Sequence, residues 1–450
     1  MSRSTHGETA VTGPSCAATR SVLRTWLRLA LLAAFALGAG RLAAAPQFAD
    51  DAELVARVIG LVDRRLALMP EVAAIKYRQQ TPIADPAREQ DVLDRTVAEA
   101  AALNLDGPAA REFLGVQIRM ARAVQEACFT RWQAATAPPP PARDLVTVLR
   151  PELDALVREL LPAVYLATDA LANASASHRR TALEPLRRHA GLTDALISEL
   201  AGSLGALRVT APATWPVLQR VGVLRVGTTG DYAPFSDDRE RVLRGFDIEL
   251  AGALAHDWGV EVMFVRTSWP TLMDDLRRRR FDLAASGISV TEERRRVADF
   301  SGPYFFDGKT PIARRNDAAR FSRLEDIDRP DVRVVVNPGG TNERFAREHL
   351  RRATLRIHPD NRTIFAEIAA GRADVMITDG VEVRLQERRQ PELRGTRAEP
   401  FTRTGKAVLL PAGSELTVRV DAWLEPRLKS GELATRLERA LDDAAAPGAR

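Results

Sequence analysis

The sequence predicts an all-α helical bundle followed by an α/β domain with largely parallel sheets. Three observations predict it. From about Asp51 to Gly205 apolar residues recur at helical spacing and strand signals are absent. From about Val221 the pattern changes to short β-rich runs that alternate with amphipathic helices. Between them, residues 206–220 with Pro212 and Pro216 read as a linker, so fragments 46–207 and 213–450 are each expected to fold. A chain of 450 residues with 45% hydrophobic and 27% charged residues is long enough for several globular domains.

In chain order, residues 1–45 come first. Arg20, Arg24 and Arg28 precede an apolar run, Leu29 to Gly40, and Ala43-Ala44-Ala45 follow. Charged, apolar and small residues in that order are a secretory signal, so a periplasmic protein is expected. This segment holds five Arg and one Glu, hence nearly all of the net charge of +5. The body is near neutral and offers no concentrated basic face for nucleic acid. No run reaches the ~18–20 apolar residues of a membrane span, so no stable membrane partner is expected. Cys16 and Cys128 are the only cysteines, and the six histidines show no HExxH spacing. After export Cys128 stands alone, which excludes an internal disulfide, and no metal or organic cofactor is implied.

The helical half follows, over 46–205. Arg65 and Lys76 stand eleven residues apart. That is roughly three turns, so they share a face if one helix continues through Pro70. Asp85, Arg88 and Glu89 fall within one turn of each other, and Gln117, Ala121 and Gln125 recur at i, i+4 and i+8. The run Ala137-Pro138-Pro139-Pro140-Pro141 is a stiff connector. Arg150 opens the next helix, with Pro151 suited to its first turn. Cations that converge from several helices in a bundle core form a site for a small polyanion.

This set, with "VAAIKYRQQTPIADPAREQDVL" and "FLGVQIRMARAVQEACFTRW", resembles the secreted branch of the all-helical chorismate mutases over about residues 51–205. The resemblance implies conversion of chorismate to prephenate. It puts Arg65, Arg88 and Arg150 on the two carboxylates, Lys76 and Gln125 as donors to the breaking ether oxygen, and Asp85 and Glu89 on the substrate hydroxyl. The chemistry suits these residues, because a unimolecular rearrangement of a dianion needs a held conformer and stabilised negative charge rather than a nucleophile. The family often has Glu where Gln125 stands, Thr where Ala121 stands, and a disulfide that this chain cannot form.

The α/β half spans 221–445. Strands are expected at Val221–Gly227, Val260–Thr267, Arg333–Asn337 and Asp374–Thr378, and helices at Gly245–Trp258, Asn342–Arg352 and Thr363–Gly371. "RVGTTGDYAPFS" displays Asp231, Tyr232 and Phe235 in a turn. "FDLAASGISVTEERRR" sets the hydroxyls of Ser286, Ser289 and Thr291 before Arg294. "VRVVVNPGGTNERFA" runs from a strand through a Gly pair into a helix, and "ADVMITDGVEVRL" ends a strand at Asp379, with Glu382 in the next turn.

These motifs resemble the type II periplasmic solute-binding proteins of the polar amino-acid class, over about 220–445. The resemblance implies two α/β lobes closing on a small ligand, with strand C-termini and helix N-termini facing the cleft. It puts Arg294 on a ligand carboxylate, Asp379 on a ligand amine, and the backbone N–H groups of Gly340, Thr341 and Asn342 at a second anion site. "VRTSWPTLMDDL", "PYFFDGKTPI", "HPDNRTIF" and "TDGVEVRLQ" are more similar to the enzymatic branch of that fold, the cyclohexadienyl dehydratases. Those enzymes turn prephenate into phenylpyruvate and arogenate into phenylalanine. By that resemblance Glu382 is the acid, Lys309 and Asn337 bind the second carboxylate and hold Glu382, Trp269 packs on the ring, and Asp231 and Ser289 complete the cleft. An acid that protonates a leaving hydroxyl near neutral pH needs a raised pKa, which a closed, water-poor cleft supplies.

The product of the first half is the substrate of the second. An exported bifunctional enzyme acting on chorismate and prephenate, or on arogenate, is expected. The alternative is a mutase fused to a non-catalytic binding protein for an amino or aromatic acid, in which position 382 needs no acid.

Overall fold

A computed structural model describes residues 45–134 and 138–446; the expected export signal up to residue 44, and Ala137, lie outside them. The bundle opens with α1 (Asp51–Ala67) and α2 (Met69–Arg78). The single helix expected through Pro70 breaks at Leu68, and Pro70 takes the first turn of α2, where a missing N–H leaves no bond unmade. α3 (Pro86–Ala101) is capped by Asp85, whose carboxylate accepts from the Arg88 N–H at 3.2 Å. Two long helices, α4 (Gly107–Gln133) and α5 (Arg150–Asn173), carry the bundle, and α6 (Asp194–Ala206) packs on both. The expected linker contains α7 (Trp215–Val221), which buries Val217 and Leu218.

The second half forms two lobes. The first sheet comprises β1 (Val223–Thr228), β2 (Glu261–Arg266), β3 (Leu283–Ala284), β4 (Ala298–Phe300) and the returning β12 (Leu409–Pro411), in the order β2-β1-β3-β12-β4. α8 (Phe246–Asp257) packs against it. Two strands cross between the lobes, β5 (Phe305–Asp307) outward and β11 (Thr404–Lys406) back, and they pair antiparallel. The second sheet holds β6 (Lys309–Arg314), β7 (Arg333–Val336), β8 (Thr354–Ile357), β9 (Val375–Asp379) and β10 (Leu393–Gly395), in the order β8-β7-β9-β6-β10. Its helices include α9 (Thr341–His349) and α10 (Gly380–Arg389). The chain closes with α11 (Leu416–Lys429) and α12 (Glu432–Ala445). Expected strands and helices are found with ends displaced by a few residues. Among the described residues no helix is long and apolar enough to cross a membrane.

Bundle and first lobe share one apolar core that runs from Leu61, Phe113 and Leu161 to Leu224, Phe246 and Leu437. A charged cluster is sealed inside the junction. Arg225 of β1 donates to Asp282 at 2.7 Å and to the Tyr165 hydroxyl of α5 at 2.8 Å, and its guanidinium lies 4.3 Å from the Tyr165 ring centre. The three residues are 1–2% exposed. Arg280 pairs with Asp169 at 2.7 Å nearby, and the Ala49 N–H donates to the Phe264 carbonyl, extending the β2 edge. This buried contact counts against the clean separability that the Pro-containing linker suggests.

Candidate functional sites

In the bundle, α1 to α5 surround a pocket of ≈ 190 Å³. Arg65, Lys76, Asp85, Arg88, Glu89, Gln125 and Arg150 all line it, with Met69, Val72, Val92, Leu153 and Val157 as the apolar wall. Arg65 donates to the Gln117 carbonyl at 3.3 Å, and burial lowers its pKa to about 10. Lys76 donates to the Ile83 carbonyl at 2.6 Å. Burial pulls its pKa down, while Glu89 and Asp85 push it up. Gln125 is buried; its Nε2 donates to the Ala121 carbonyl at 3.1 Å and its Oε1 has no protein partner. The site is thus a partly open slot with several cations, the carboxylates of Asp85 and Glu89 and one buried neutral amide, suited to an anion with apolar faces. Gln117, expected on the same face as Gln125, lies behind the wall, with both side-chain polar atoms unpartnered.

The second site lies between the lobes, around a cavity of only ≈ 20 Å³ lined by Tyr232, Trp269, Ser289, Arg294, Asn337, Gly340, Thr341, Asn342, Asp379 and Lys406 among others. Strand register creates its centre. Asp379, the last residue of β9, pairs in register with Lys309, the first of β6, and the Lys309 ammonium meets the Asp379 carboxylate at 2.8 Å. Lys406, at the end of the returning crossover, bridges Ser289 and sets its Nζ 2.5 Å from the other Asp379 oxygen. The Tyr232 hydroxyl donates to that oxygen too. The two lysines hold the Asp379 carboxyl far below its ordinary pKa despite its burial.

Arg294 is placed by the Thr291 cap of its short helix and donates to the Ser289 carbonyl at 3.0 Å. Burial lowers its pKa to about 10. The α9 N-terminus brings the first-turn backbone N–H groups after Gly340 to the wall, unpaired by the helix itself. Gly339 there has φ +75°, and a Cβ on it would meet Pro270 of the other lobe at 2.7 Å.

Glu382 sits in the first turn of α10, whose N-terminal amides of Gly380 and Val381 donate to Asp307 at 3.0 and 2.9 Å. It is 3% exposed. Burial raises its pKa to about 8, with the Asp379 charge adding to the rise and the Thr378 hydrogen bond and both lysines opposing it. The expectation that Lys309 and Asn337 hold Glu382 changes in detail. Thr378 donates to Glu382, Asn342 donates to Thr378 at 3.0 Å and to Asn337 at 3.2 Å, and Lys309 touches Asn342, Thr341 and Asp379. The antiparallel register directs Lys309 to Asp379 instead.

Residues 224–444 match the model of the bacterial extracellular solute-binding proteins, family 3, and residues 52–126 match chorismate mutase type II. The cyclohexadienyl dehydratase of Pseudomonas aeruginosa is 50% identical over 223 residues, 49% of this chain and 83% of that protein. The chain belongs with the cyclohexadienyl dehydratases. The L-cystine-binding protein TcyJ of Escherichia coli K12 is 28% identical over 223 residues, 48% of this chain and 82% of its own length. The crystal structure of the ancestral amino acid-binding protein AncCDT-1, a precursor of cyclohexadienyl dehydratase, is 35% identical with a TM-score of 0.48, covering 51% of this chain and 100% of that one.

Within this family-3 half the placement of Asp231 departs from expectation. Tyr232 lines the cavity and Asp231 does not; the Asp231 carboxyl is buried with one oxygen lacking a protein partner, and burial raises its pKa. Asp231 contributes its backbone carbonyl, which accepts from Asn361 of the other lobe at 3.0 Å. Ser286 bonds Thr229 at 2.8 Å and Ser236 at 2.7 Å and braces the loop rather than facing the cavity. Sequence reasoning missed Lys406 and, in the bundle, Arg122, which binds Glu89 through both guanidinium arms. Lys406 left a signal: it is a lone charge at the head of the apolar run Ala407–Pro411.

Proposed function

We propose that this chain is an exported bifunctional enzyme of phenylalanine biosynthesis. The helical pocket rearranges chorismate to prephenate, and the interlobe cleft dehydrates and decarboxylates prephenate to phenylpyruvate. In the first step the ether C–O bond breaks as a C–C bond forms, with no atom lost. Arg65, Arg88 and Arg150 hold the carboxylates, Lys76 and Gln125 donate to the ether oxygen, and Asp85 and Glu89 take the hydroxyl. In the second step the bond from the ring to its carboxylate breaks and carbon dioxide leaves. The electron pair enters the ring, and the ring hydroxyl departs as water with the Glu382 proton. Arg294 and the α9 N-terminus hold the carboxylates, and Trp269 lies against the ring.

One observation carries the reading of the cleft as an active site: Glu382 is buried behind the wall residue Asn342, linked to it through Thr378, with its pKa raised to about 8, a protonated acid for which simple ligand capture has no use. The test is to incubate the mature protein with chorismate and follow phenylpyruvate by its absorbance in alkali. Formation of prephenate without phenylpyruvate would leave a mutase joined to a binding protein.

A further inference from the structure

Resting on the dehydratase reading, we infer that the cleft selects a 2-oxo acid over the corresponding 2-amino acid, and that Lys406 is the residue that sets this preference. Asp379 is the one carboxylate among the residues lining the cavity, so a substrate ammonium would have to pair with it. That carboxylate is already taken. Lys309 binds one oxygen at 2.8 Å, Lys406 binds the other at 2.5 Å, and the Tyr232 hydroxyl donates to the second oxygen as well. An arriving ammonium would meet two fixed ammonium groups and no free anionic partner. Glu382 offers none, being protonated near neutral pH and engaged with Thr378. Asp231 is not among the residues lining the cavity, and burial raises the pKa of its carboxyl, which disfavours the charged form.

The two lysines are not equivalent. Lys309 uses its three donors on Thr341, Asn342 and Asp379. Lys406 uses two, on Ser289 and Asp379, and keeps one for a carbonyl oxygen. Its Nζ lies 5.3 Å from the Tyr232 ring centre and 5.8 Å from that of Phe235, and the residue is 1% exposed. A buried ammonium held by one carboxylate and one hydroxyl is a fixed donor. It repels a second cation and attracts a neutral oxygen. With Arg294 and Lys406 against Asp379 alone, the wall carries more positive than negative charge. That excess suits a dianion and not a substrate whose ammonium cancels part of its charge.

The experiment measures kcat/KM for prephenate and for arogenate in the full chain, in Lys406→Met and in Lys406→Arg, with circular dichroism as the check on folding. Like charges brought together in a buried site set the scale, so the wild type should favour prephenate by at least ~10-fold. Lys406→Met frees one Asp379 oxygen and should narrow that preference by ~10-fold or more, while Lys406→Arg keeps the charge and the preference. Equal or better use of arogenate by the wild type overturns the inference even if Lys406→Met fails to fold. An unchanged ratio in folded Lys406→Met overturns the role of Lys406. If neither compound is turned over, the dehydratase reading itself fails. Calorimetry with phenylpyruvate and phenylalanine then decides the ligand class: tighter phenylpyruvate supports the inference, and equal or tighter phenylalanine overturns it.

Discussion

Replacing Glu382 by Gln removes the proton that the proposed dehydration consumes and keeps the size of the side chain. Burial raises the Glu382 pKa to about 8. At about pH 7 roughly nine molecules in ten then carry the proton, and at about pH 9 roughly one in ten. An unperturbed Glu, near 4.3, would carry it at neutral pH in only a few molecules per thousand. The fold therefore supplies the acid form in ~10²-fold excess over an exposed side chain. Because the protonated form is the active one, activity is lost as pH rises. Wild-type kcat/KM for prephenate should be level near pH 7 and fall ~10-fold per pH unit above about pH 8. Glu382→Gln should lose ~10²–10⁴-fold, the usual scale for a general acid, and its residual rate should show no such fall. Conversion of chorismate to prephenate should be unchanged, because Glu382 lies outside the helical pocket. The assay is prephenate turnover in both proteins across about pH 6 to 10. A Gln variant that retains both the rate and the alkaline limb would mean that another group delivers the proton.

Four further substitutions follow from the contacts described. Gln125→Glu puts an ionised carboxylate beside an oxygen that becomes negative, so mutase kcat/KM should drop at neutral pH and recover as pH falls; profiles parallel to wild type would show that residue 125 does not face the breaking bond. Arg294→Ala should weaken prephenate binding by about 2–5 kcal/mol, read as a rise in KM and a smaller ligand-induced thermal shift, with the mutase untouched; an unchanged KM would place the carboxylate elsewhere. Asp282→Asn strands the buried Arg225 charge and should cost about 3–5 kcal/mol of stability, whereas Tyr165→Phe, which removes one hydroxyl and keeps the ion pair, should cost about 1–3 kcal/mol. Chemical denaturation measures both, and equal small losses would mean that water relieves the junction.

What the sequence disclosed follows from the range of the interactions involved. The residues lining the bundle pocket share helix faces, and helical spacing is a local signal that survives the break at Leu68, because α2 resumes with Lys76 on the same pocket. Arg294, Asp379 and Glu382 were legible because a strand end and a helix start lie next to one another in the chain. The partnership of Lys309 with Asp379 was not, since it depends on antiparallel register between β6 and β9, sixty and more residues apart. Lys406 reaches the same carboxylate from the far crossover. The Tyr165, Arg225 and Asp282 cluster was hidden for the same reason, as its members come together from distant parts of the chain. Arg122 was one arginine among many in an arginine-rich chain.

The junction between bundle and first lobe has a mechanical consequence. A cavity of ≈ 20 Å³ admits no ring-bearing substrate, so the cleft must open to load. Arg225, Asp282, Tyr165, Arg280 and Asp169 bolt the helices to the first lobe, which makes that lobe part of a heavy mount. The second lobe, joined through the β5 and β11 pair and through the ion pairs of α10 with α12 (Arg384 with Glu438, Arg388 with Asp442), is the arm expected to move. A distance label between the bundle and the first lobe should then hold one value with and without ligand, while one between the first and second lobes should shift. On this design the helical pocket sits wholly on the stationary side, so the traffic of chorismate through it keeps its own clock, indifferent to each stroke of the arm.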